Sequence, residues 1–162
     1  MSDVTVTVTE LAAFNHRWLD DVRQHLSPAC APHSSFWDRW AAVRYLADPF
    51  AEPYKLTGEL LDGLIERLDR RTAGRLADDR ATIDRLREGF DRVGRERGNT
   101  VAAAAIACSL LATIQRWCRG VEDAIRAAGP GGLSPEAGEA LARASPRLQG
   151  RYAPPDQQAI TS

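Results

Sequence analysis

Hydrophobic side chains recur at the spacing of an α-helix along most of this chain. A first helix is predicted to begin after Thr9 and to end at Pro28, because the apolar residues between them are three or four positions apart. A second helix is predicted over residues 36–47. Ser35 precedes it and Asp38 follows three residues later, which is the spacing of a capping box. The pattern therefore predicts two amphipathic helices separated by a short turn.

The segment 53–97 keeps one helical phase from end to end. At about 100° per residue, its apolar side chains project within one stripe roughly 100° wide; this apolar stripe consists of Leu61, Leu64, Ile65, Leu68, Leu76, Ile83, Leu86, Phe90 and Val93. One helix of about 65 Å and two helices hinged near Gly74 both fit it. A glycine costs about 1 kcal/mol inside a helix, which favours the hinge.

The apolar segment that follows is predicted to form a helix over residues 101–128. It is rich in alanine and carries no charge before Arg116. A helix that is apolar on all sides is typical of a buried position, so this helix is expected at the centre of the structure. Glycine and proline at 129–132 end it, and a short helix is predicted to follow, up to about residue 144.

The two ends of the chain differ from this helical pattern. Valine and threonine alternate near the N-terminus, which is typical of a strand, so residues 1–9 are predicted to be an extended arm. Residues 146–162 are rich in glutamine, proline and glycine and are predicted to be a mobile tail. Between them, residues 10–145 are expected to form a single-domain, all-α helical bundle. Four to five main helices would surround the alanine-rich central one.

Composition narrows the functional classes. The formal net charge of the 162 residues is −1, so nucleic acid is not indicated as a partner. The uncharged stretch 101–115 is shorter than the roughly 20 residues of a membrane span, and no membrane partner is expected. Three cysteines are an odd number, which argues against a framework of paired disulfides. No signal peptide is visible, and a cytoplasmic location is expected.

Four carboxylates on the long helical segment are a candidate metal site. Glu59, Asp62, Glu66 and Asp69 are spaced 3, 4 and 3 residues apart, which places them on one helical face, called here the acidic stripe. Carboxylates at this spacing can bind Mg²⁺ or Mn²⁺. The two Glu-x-x-Asp pairs resemble those of all-α nucleotide pyrophosphohydrolases of the MazG type, and this resemblance implies a metal-dependent phosphohydrolase.

The position of the acidic stripe favours a different interpretation. It projects about 140° from the apolar stripe, so it is predicted to face solvent. A metal site of the MazG-type family would lie between packed helices. A solvated face with salt bridges is therefore the favoured interpretation, and metal binding remains an alternative.

A second candidate metal site lies at the end of the first predicted helix. Asp21 and His25 are four residues apart on one face, and Cys30 and His33 follow in the turn. Mixed nitrogen, sulfur and oxygen ligands of this kind can hold zinc. The alternative is an ordinary helix end at which His25 interacts with the helix dipole.

Aromatic residues of the second predicted helix are candidates for an interface or a ligand pocket. Trp37, Trp40 and Tyr45 are the residues singled out. Phe36 and Trp40 share an apolar face, which is typical of a core position. Trp37 lies about 100° from Phe36 and is the best placed of them to reach an interface or pocket.

No catalytic motif accompanies these candidates. The chain has no phosphate-binding glycine loop, nucleophile elbow or dinucleotide-binding glycine pattern. The expected function is therefore non-catalytic: a protein–protein interaction or assembly module, as a homo-oligomer or as a helical subunit of a larger complex. No cofactor is predicted, although a divalent metal is a candidate. The alternatives are a metal-dependent phosphohydrolase and a small-molecule binder with an aromatic pocket.

Overall fold

The computed structural model describes residues 2–64, 68–98 and 100–128 of the chain. Its five helices are listed in chain order: α1 Ser2–Cys30, α2 Phe36–Ala47, α3 Ala51–Leu64, α4 Arg70–Gly94 and α5 Thr100–Ala128. All regular secondary structure in these residues is helical, so the predicted all-α bundle is confirmed. The short helix and the tail predicted beyond residue 128 lie outside the described residues.

The alanine-rich helix α5 packs against both α1 and α4, as predicted for the central helix, but it is not buried on all sides, because Val101 and Ala105 are exposed. The Trp117 ring of α5 meets the Trp18 ring of α1 edge to face at 6.4 Å. On the other side, Leu76 of α4 fits against Gly120, where an added Cβ would lie 2.6 Å from a Leu76 methyl carbon. A small residue is therefore needed for this close approach of α4 and α5.

Helix α2 packs against α1 and α4, whereas α3 packs against α5 and reaches α4 through its side chains. Arg87 of α4 donates a hydrogen bond to the carbonyl oxygen of Leu46 near the end of α2. Earlier along α4, Arg80 pairs with Asp62 near the end of α3. These contacts hold the end of α2 and the end of α3 against successive parts of α4.

An aromatic cluster occupies the middle of the bundle. Trp18, Phe50, Tyr54 and Trp117 are all buried. The ring centroids are 5.3 Å apart for Trp18 and Phe50, 5.1 Å for Phe50 and Tyr54, and 5.2 Å for Tyr54 and Trp117. Aromatic side chains bury large areas, so this cluster is a main source of the hydrophobic stabilisation.

Helix α5 also satisfies the length and composition expected of a membrane-crossing helix. The segment that does so, Thr100–Ala127, extends beyond the shorter uncharged stretch seen in the sequence, and a little under half of its most apolar window is buried. The central helix of a bundle has the same features. This observation is therefore only weak evidence for a membrane span.

The capping box predicted at the start of α2 is confirmed. The backbone N–H of Asp38 donates to Ser35 Oγ at 3.1 Å, and the backbone N–H of Ser35 donates to Asp38 Oδ2 at 3.3 Å. Two of the amides that a helix N-terminus leaves without a helical partner are satisfied in this way. The start of α2 is thereby fixed at Phe36.

The prediction of an extended N-terminal arm is wrong. Residues 2–9 belong to α1, which also continues past Pro28 to Cys30. Alternating valine and threonine stabilise a strand through pairing with a second strand, and the described residues contain none. Each β-branched residue costs well under 1 kcal/mol in a helix. Continuing an existing helix also avoids the cost of nucleating a new one.

The hinge predicted near Gly74 is also misplaced. Gly74 lies inside α4, and the described residues between α3 and α4 that are not helical are instead Leu68 and Asp69, directly before α4 begins at Arg70. For the side chains that the structure describes, the apolar stripe is confirmed, since Leu61, Leu76, Ile83 and Phe90 are buried, whereas Ile65 lies outside the described residues. Helices α3 and α4 each bury their part of the stripe in the same hydrophobic core.

Candidate interaction surface

Three aromatic rings of α2 lie together on the outside of the bundle. Trp37 is 73% exposed, and Phe36 and Trp40 are half-buried. The Phe36 ring meets the Trp37 ring at 5.6 Å and 70°, and stacks on the Trp40 ring at 6.3 Å and 13°. Two arginines, Arg95 and Arg97, lie over these rings. The five residues are called here the aromatic face.

The arginines come from the chain that follows α4. The guanidinium carbon of Arg95 lies 5.5 Å from the Trp40 ring centroid, and that of Arg97 lies 5.8 Å from the Phe36 ring centroid. A cation–π contact at an exposed site contributes about 0.5–1 kcal/mol. Arg95 is further held by an ion pair with Asp91 at 3.0 Å. The aromatic face is therefore assembled from two parts of the chain.

A buried arginine fixes the backbone beneath the aromatic face. Arg39 of α2 is 1% exposed, and its guanidinium donates to the carbonyl oxygens of Ser34 at 3.1 Å and Glu96 at 3.4 Å. These bonds join the turn before α2 to the turn after α4. Trp37 is consequently presented from a backbone that is held on both sides.

Charges of both signs surround the exposed rings. Arg95 and Arg97 lie over the rings, whereas Asp38 is in the first turn of α2 and Glu96 is between the two arginines in sequence. All four residues are exposed. A surface with this balance does not select a strongly acidic or strongly basic partner.

Of the three aromatic residues predicted to form an interface or pocket, two share the aromatic face and one does not. Tyr45 is 3% exposed and faces α1. Its ring stacks on the His25 ring at 4.0 Å and 3°, and its hydroxyl donates to Asp21 Oδ2 at 3.1 Å. Trp37 and Trp40 therefore do not line a common pocket with Tyr45.

The structure brings together only part of the predicted zinc group. His25 Nδ1–H donates to the carbonyl oxygen of Asp21 at 2.8 Å. Cys30 instead faces α5, where its carbonyl oxygen accepts a hydrogen bond from Cys108, and His33 is exposed in the turn before α2. Among the residues that the structure describes, no group of three or more His, Cys, Asp or Glu could hold a metal ion.

The acidic stripe is not one helical face. Glu59 and Asp62 are exposed on α3, and Asp62 pairs with Arg80 at 3.0 Å. Glu66 lies outside the described residues. Asp69 does not continue α3 at all, because it is the N-cap of α4. The assignment of all four carboxylates to one face is therefore wrong, for the same reason as the misplaced hinge.

Capping accounts for the environment of Asp69. Its carboxylate accepts hydrogen bonds from the backbone N–H of Thr72 at 2.6 Å and from the Thr72 hydroxyl at 3.0 Å. These bonds, the backbone one above all, lower the pKa of Asp69 below its ordinary value of 3.8. Hydrogen bonds to a charged carboxylate favour the charged form. Asp69 therefore stabilises α4 as an anion.

We expect Asp69→Ala to lower the melting temperature at pH 7, and Asp69→Ser to retain more stability because serine also caps helices. A lowered folded-state pKa stabilises the fold above the unfolded pKa, and this contribution is lost as the pH falls through the folded pKa. The advantage of aspartate over serine should therefore shrink between pH 7 and pH 3, as measured by circular dichroism. A Mg²⁺- or Mn²⁺-dependent rise in the melting temperature that Asp69→Ser abolishes would contradict a purely capping role.

An open groove between α2 and α4 was missed by the sequence patterns. It has a volume of about 850 Å³, and its lining includes Leu46, Asp84, Arg87 and Glu88. Arg87 lies 5.4 Å from the Tyr54 ring centroid, and the Tyr54 hydroxyl donates to Asp84 at 2.8 Å. Burial, followed by this bond to the carboxylate, raises the pKa of Tyr54. Two of the charged groups that line the groove, Asp84 and Arg87, are thus engaged in contacts between helices.

No protein-family model, curated protein or solved structure matches the chain. Its function therefore has to be inferred from its own residues. Among the described residues, only Trp37 and Val101 are large hydrophobic side chains that are exposed. Trp37 belongs to a cluster of aromatic rings and arginines. This composition makes the aromatic face the strongest candidate for an interaction surface among the described residues.

Proposed function

We propose that this protein is a non-catalytic assembly module that associates with a second copy of itself through the aromatic face. The observation that carries the proposal is the exposure of Trp37, which is 73% accessible beside the rings of Phe36 and Trp40. Tryptophan and arginine are the residue types most enriched among the side chains that dominate binding energy in protein interfaces. The aromatic face contains both.

Removing the exposed Trp37 ring from water is expected to favour association. Covering its exposed part would remove on the order of 100–150 Å² of surface from water, which is worth about 3 kcal/mol at about 25 cal/mol per Å². The backbone beneath it is already held by Arg39. Association therefore has little backbone ordering entropy to offset at this residue, which favours binding.

Charge balance supports a copy of the chain as the partner. In an interface with twofold symmetry, each residue of one copy faces a residue of the same surface on the other. The aromatic face contains Arg95 and Arg97, and the exposed carboxylate of Asp38 lies in the first turn of the same helix as its rings. Such a surface is able to pair opposite charges with itself. In the other form of this proposal, the protein is a helical subunit of a larger complex and binds a different protein through the same face.

The alternatives have less support among the described residues. A metal-dependent phosphohydrolase would need the acidic stripe, but Asp62 pairs with Arg80 and Asp69 caps α4. A small-molecule site built on the aromatic residues would need Tyr45, which is buried against α1. A cytoplasmic location belongs to the proposal and is consistent with three free cysteines.

We expect Trp37→Ser to weaken self-association by about 30-fold or more, which corresponds to the loss of about 2 kcal/mol at a dominant interface residue. The measurement is sedimentation equilibrium of the wild type and the variant over a range of protein concentrations. Because Trp37 is exposed, the free energy of unfolding of the monomer should change by less than about 0.5 kcal/mol. The variant therefore separates association from stability.

Trp37→Phe is the matched control, since it keeps an aromatic ring on the same backbone. It should retain more of the association than Trp37→Ser, because part of the apolar surface remains. A wild-type protein that stays monomeric at every concentration would contradict self-association. Equal dissociation constants for the wild type and Trp37→Ser would show that the interface lies elsewhere.

A further inference from the structure

Two of the three cysteines meet across the bundle, although they are 78 residues apart in sequence. Cys30 is the last residue of α1, and Cys108 lies in the first half of α5. The Cys108 thiol donates to the carbonyl oxygen of Cys30 at 3.5 Å, and its side chain also interacts with the Cys30 thiol. One of the carbonyls that the end of α1 leaves without a helical partner is satisfied in this way.

The three thiols differ in their access to solvent. Cys108 is exposed, Cys30 is half-buried, and Cys118 is buried in the core. Burial, and then the contact with Cys108, raise the pKa of Cys30 to about 12, so this sulfur is held as a thiol in the resting protein. An exposed thiol is the one that a small oxidant reaches first. Cys108 is thus the thiol that solvent reaches more readily, and Cys30 is the neighbouring thiol with which it can form a disulfide.

We propose that Cys30 and Cys108 form a redox modification site, in which hydrogen peroxide converts the two thiols into an intrachain disulfide between α1 and α5. The Cys108 thiolate attacks one peroxide oxygen, the O–O bond breaks, and the hydroxide that leaves takes up a proton to become water. Cys108 is then a sulfenic acid.

The second step joins the two helices. Cys30 loses its proton, its sulfur attacks the Cys108 sulfur, the S–O bond breaks, and the departing hydroxide is protonated to water. Overall, the two thiols lose two electrons and two protons, and one hydrogen peroxide is reduced to two water molecules. Cys118 takes no part because it is enclosed in the core.

The disulfide would constrain the chain in two ways. It would close a long loop in the unfolded chain, which lowers the conformational entropy of the unfolded state and so favours the fold. It would also fix the end of α1 to α5 directly before the turn that leads to Phe36. This site does not depend on the function proposed above, because the chemistry is complete within one chain.

The test treats the full-length protein with hydrogen peroxide under native conditions. We expect the number of free thiols to fall from three to one and the mass to fall by about 2 Da. A peptide that joins Cys30 to Cys108 should appear after proteolysis without reductant. The urea midpoint of unfolding should rise, and dithiothreitol should reverse all of these changes.

Single cysteine variants provide the controls. Cys30→Ser and Cys108→Ser should each abolish the intrachain disulfide, whereas Cys118→Ser should still form it. Retention of all three thiols by the wild type would overturn the proposal. So would a disulfide between two chains, a disulfide that involves Cys118, or oxidation of Cys108 beyond the sulfenic acid without the loss of a second thiol.

Discussion

Replacing Trp117 with alanine is expected to lower the free energy of unfolding by about 3–5 kcal/mol, the range measured for removing a large aromatic side chain from a core. Trp117 is fully buried on the central helix. Its ring contacts the rings of Trp18 on α1 and Tyr54 on α3, so the variant would leave a cavity where three helices meet. Urea denaturation followed by far-UV circular dichroism measures the change.

Trp37→Ala is the matched control, because the same substitution is made at an exposed tryptophan. At protein concentrations at which both proteins are monomeric, its free energy of unfolding should differ from that of the wild type by less than about 0.5 kcal/mol. Since a small domain is stable by only about 5–15 kcal/mol in total, Trp117→Ala could also leave part of the population unfolded at 25 °C. Similar losses in the two tryptophan variants would contradict the central position assigned to α5.

The central position of α5 could be predicted because it depends on composition alone. A segment with alanine and other apolar residues on every side is typical of a helix that packs against several neighbours, although the side of α5 that includes Val101 and Ala105 is exposed. The capping box of Ser35 and Asp38 could also be predicted, since both partners lie within one helical turn. In each case the structure follows from residues that are close together in sequence.

The wrongly predicted helix boundaries depend instead on features that the periodicity of apolar residues does not show. The break between α3 and α4 depends on Asp69 turning back to the amide of Thr72, whereas the apolar stripe runs on in phase through this position. The N-terminal alternation of valine and threonine needs a partner strand before it becomes a strand. The periodicity of apolar residues shows which side of a segment is apolar. It does not show whether a helix is interrupted or whether a strand has a partner strand.

The candidate surface was only partly visible in the sequence. The position of Trp37 relative to Phe36 around α2 indicated that it would leave the core, and its 73% exposure confirms this. The arginines over the rings could not be predicted, because Arg95 and Arg97 approach α2 only through the packing of α4. The contact between Cys30 and Cys108 likewise depends on the antiparallel packing of α1 and α5.

A buried carboxylate between α4 and α5 also escaped the sequence patterns. Asp79 is 5% exposed, and its Oδ1 atom accepts hydrogen bonds from Arg116 Nε at 3.0 Å and Nη2 at 2.8 Å. A buried charge is tolerated when it is paired and hydrogen-bonded. The guanidinium of Arg116 reaches it from a side chain that is itself 60% exposed. The ion pair therefore connects a buried carboxylate of α4 to an exposed guanidinium of α5.

We expect Arg116→Ala to lower the free energy of unfolding at pH 7 by about 1–3 kcal/mol, because it leaves the Asp79 carboxylate buried without its charged partner. The loss should stay below the about 3–5 kcal/mol of a fully buried pair, since water screens the exposed arginine. The double variant Asp79→Leu with Arg116→Met should recover most of that loss, because no unpaired charge remains. Urea denaturation of the wild type, Asp79→Leu, Arg116→Met and the double variant gives the coupling energy of the pair. A coupling below about 0.5 kcal/mol would mean that Asp79 obtains its stabilisation from other neighbours, and that the ion pair is incidental to the packing of α4 on α5.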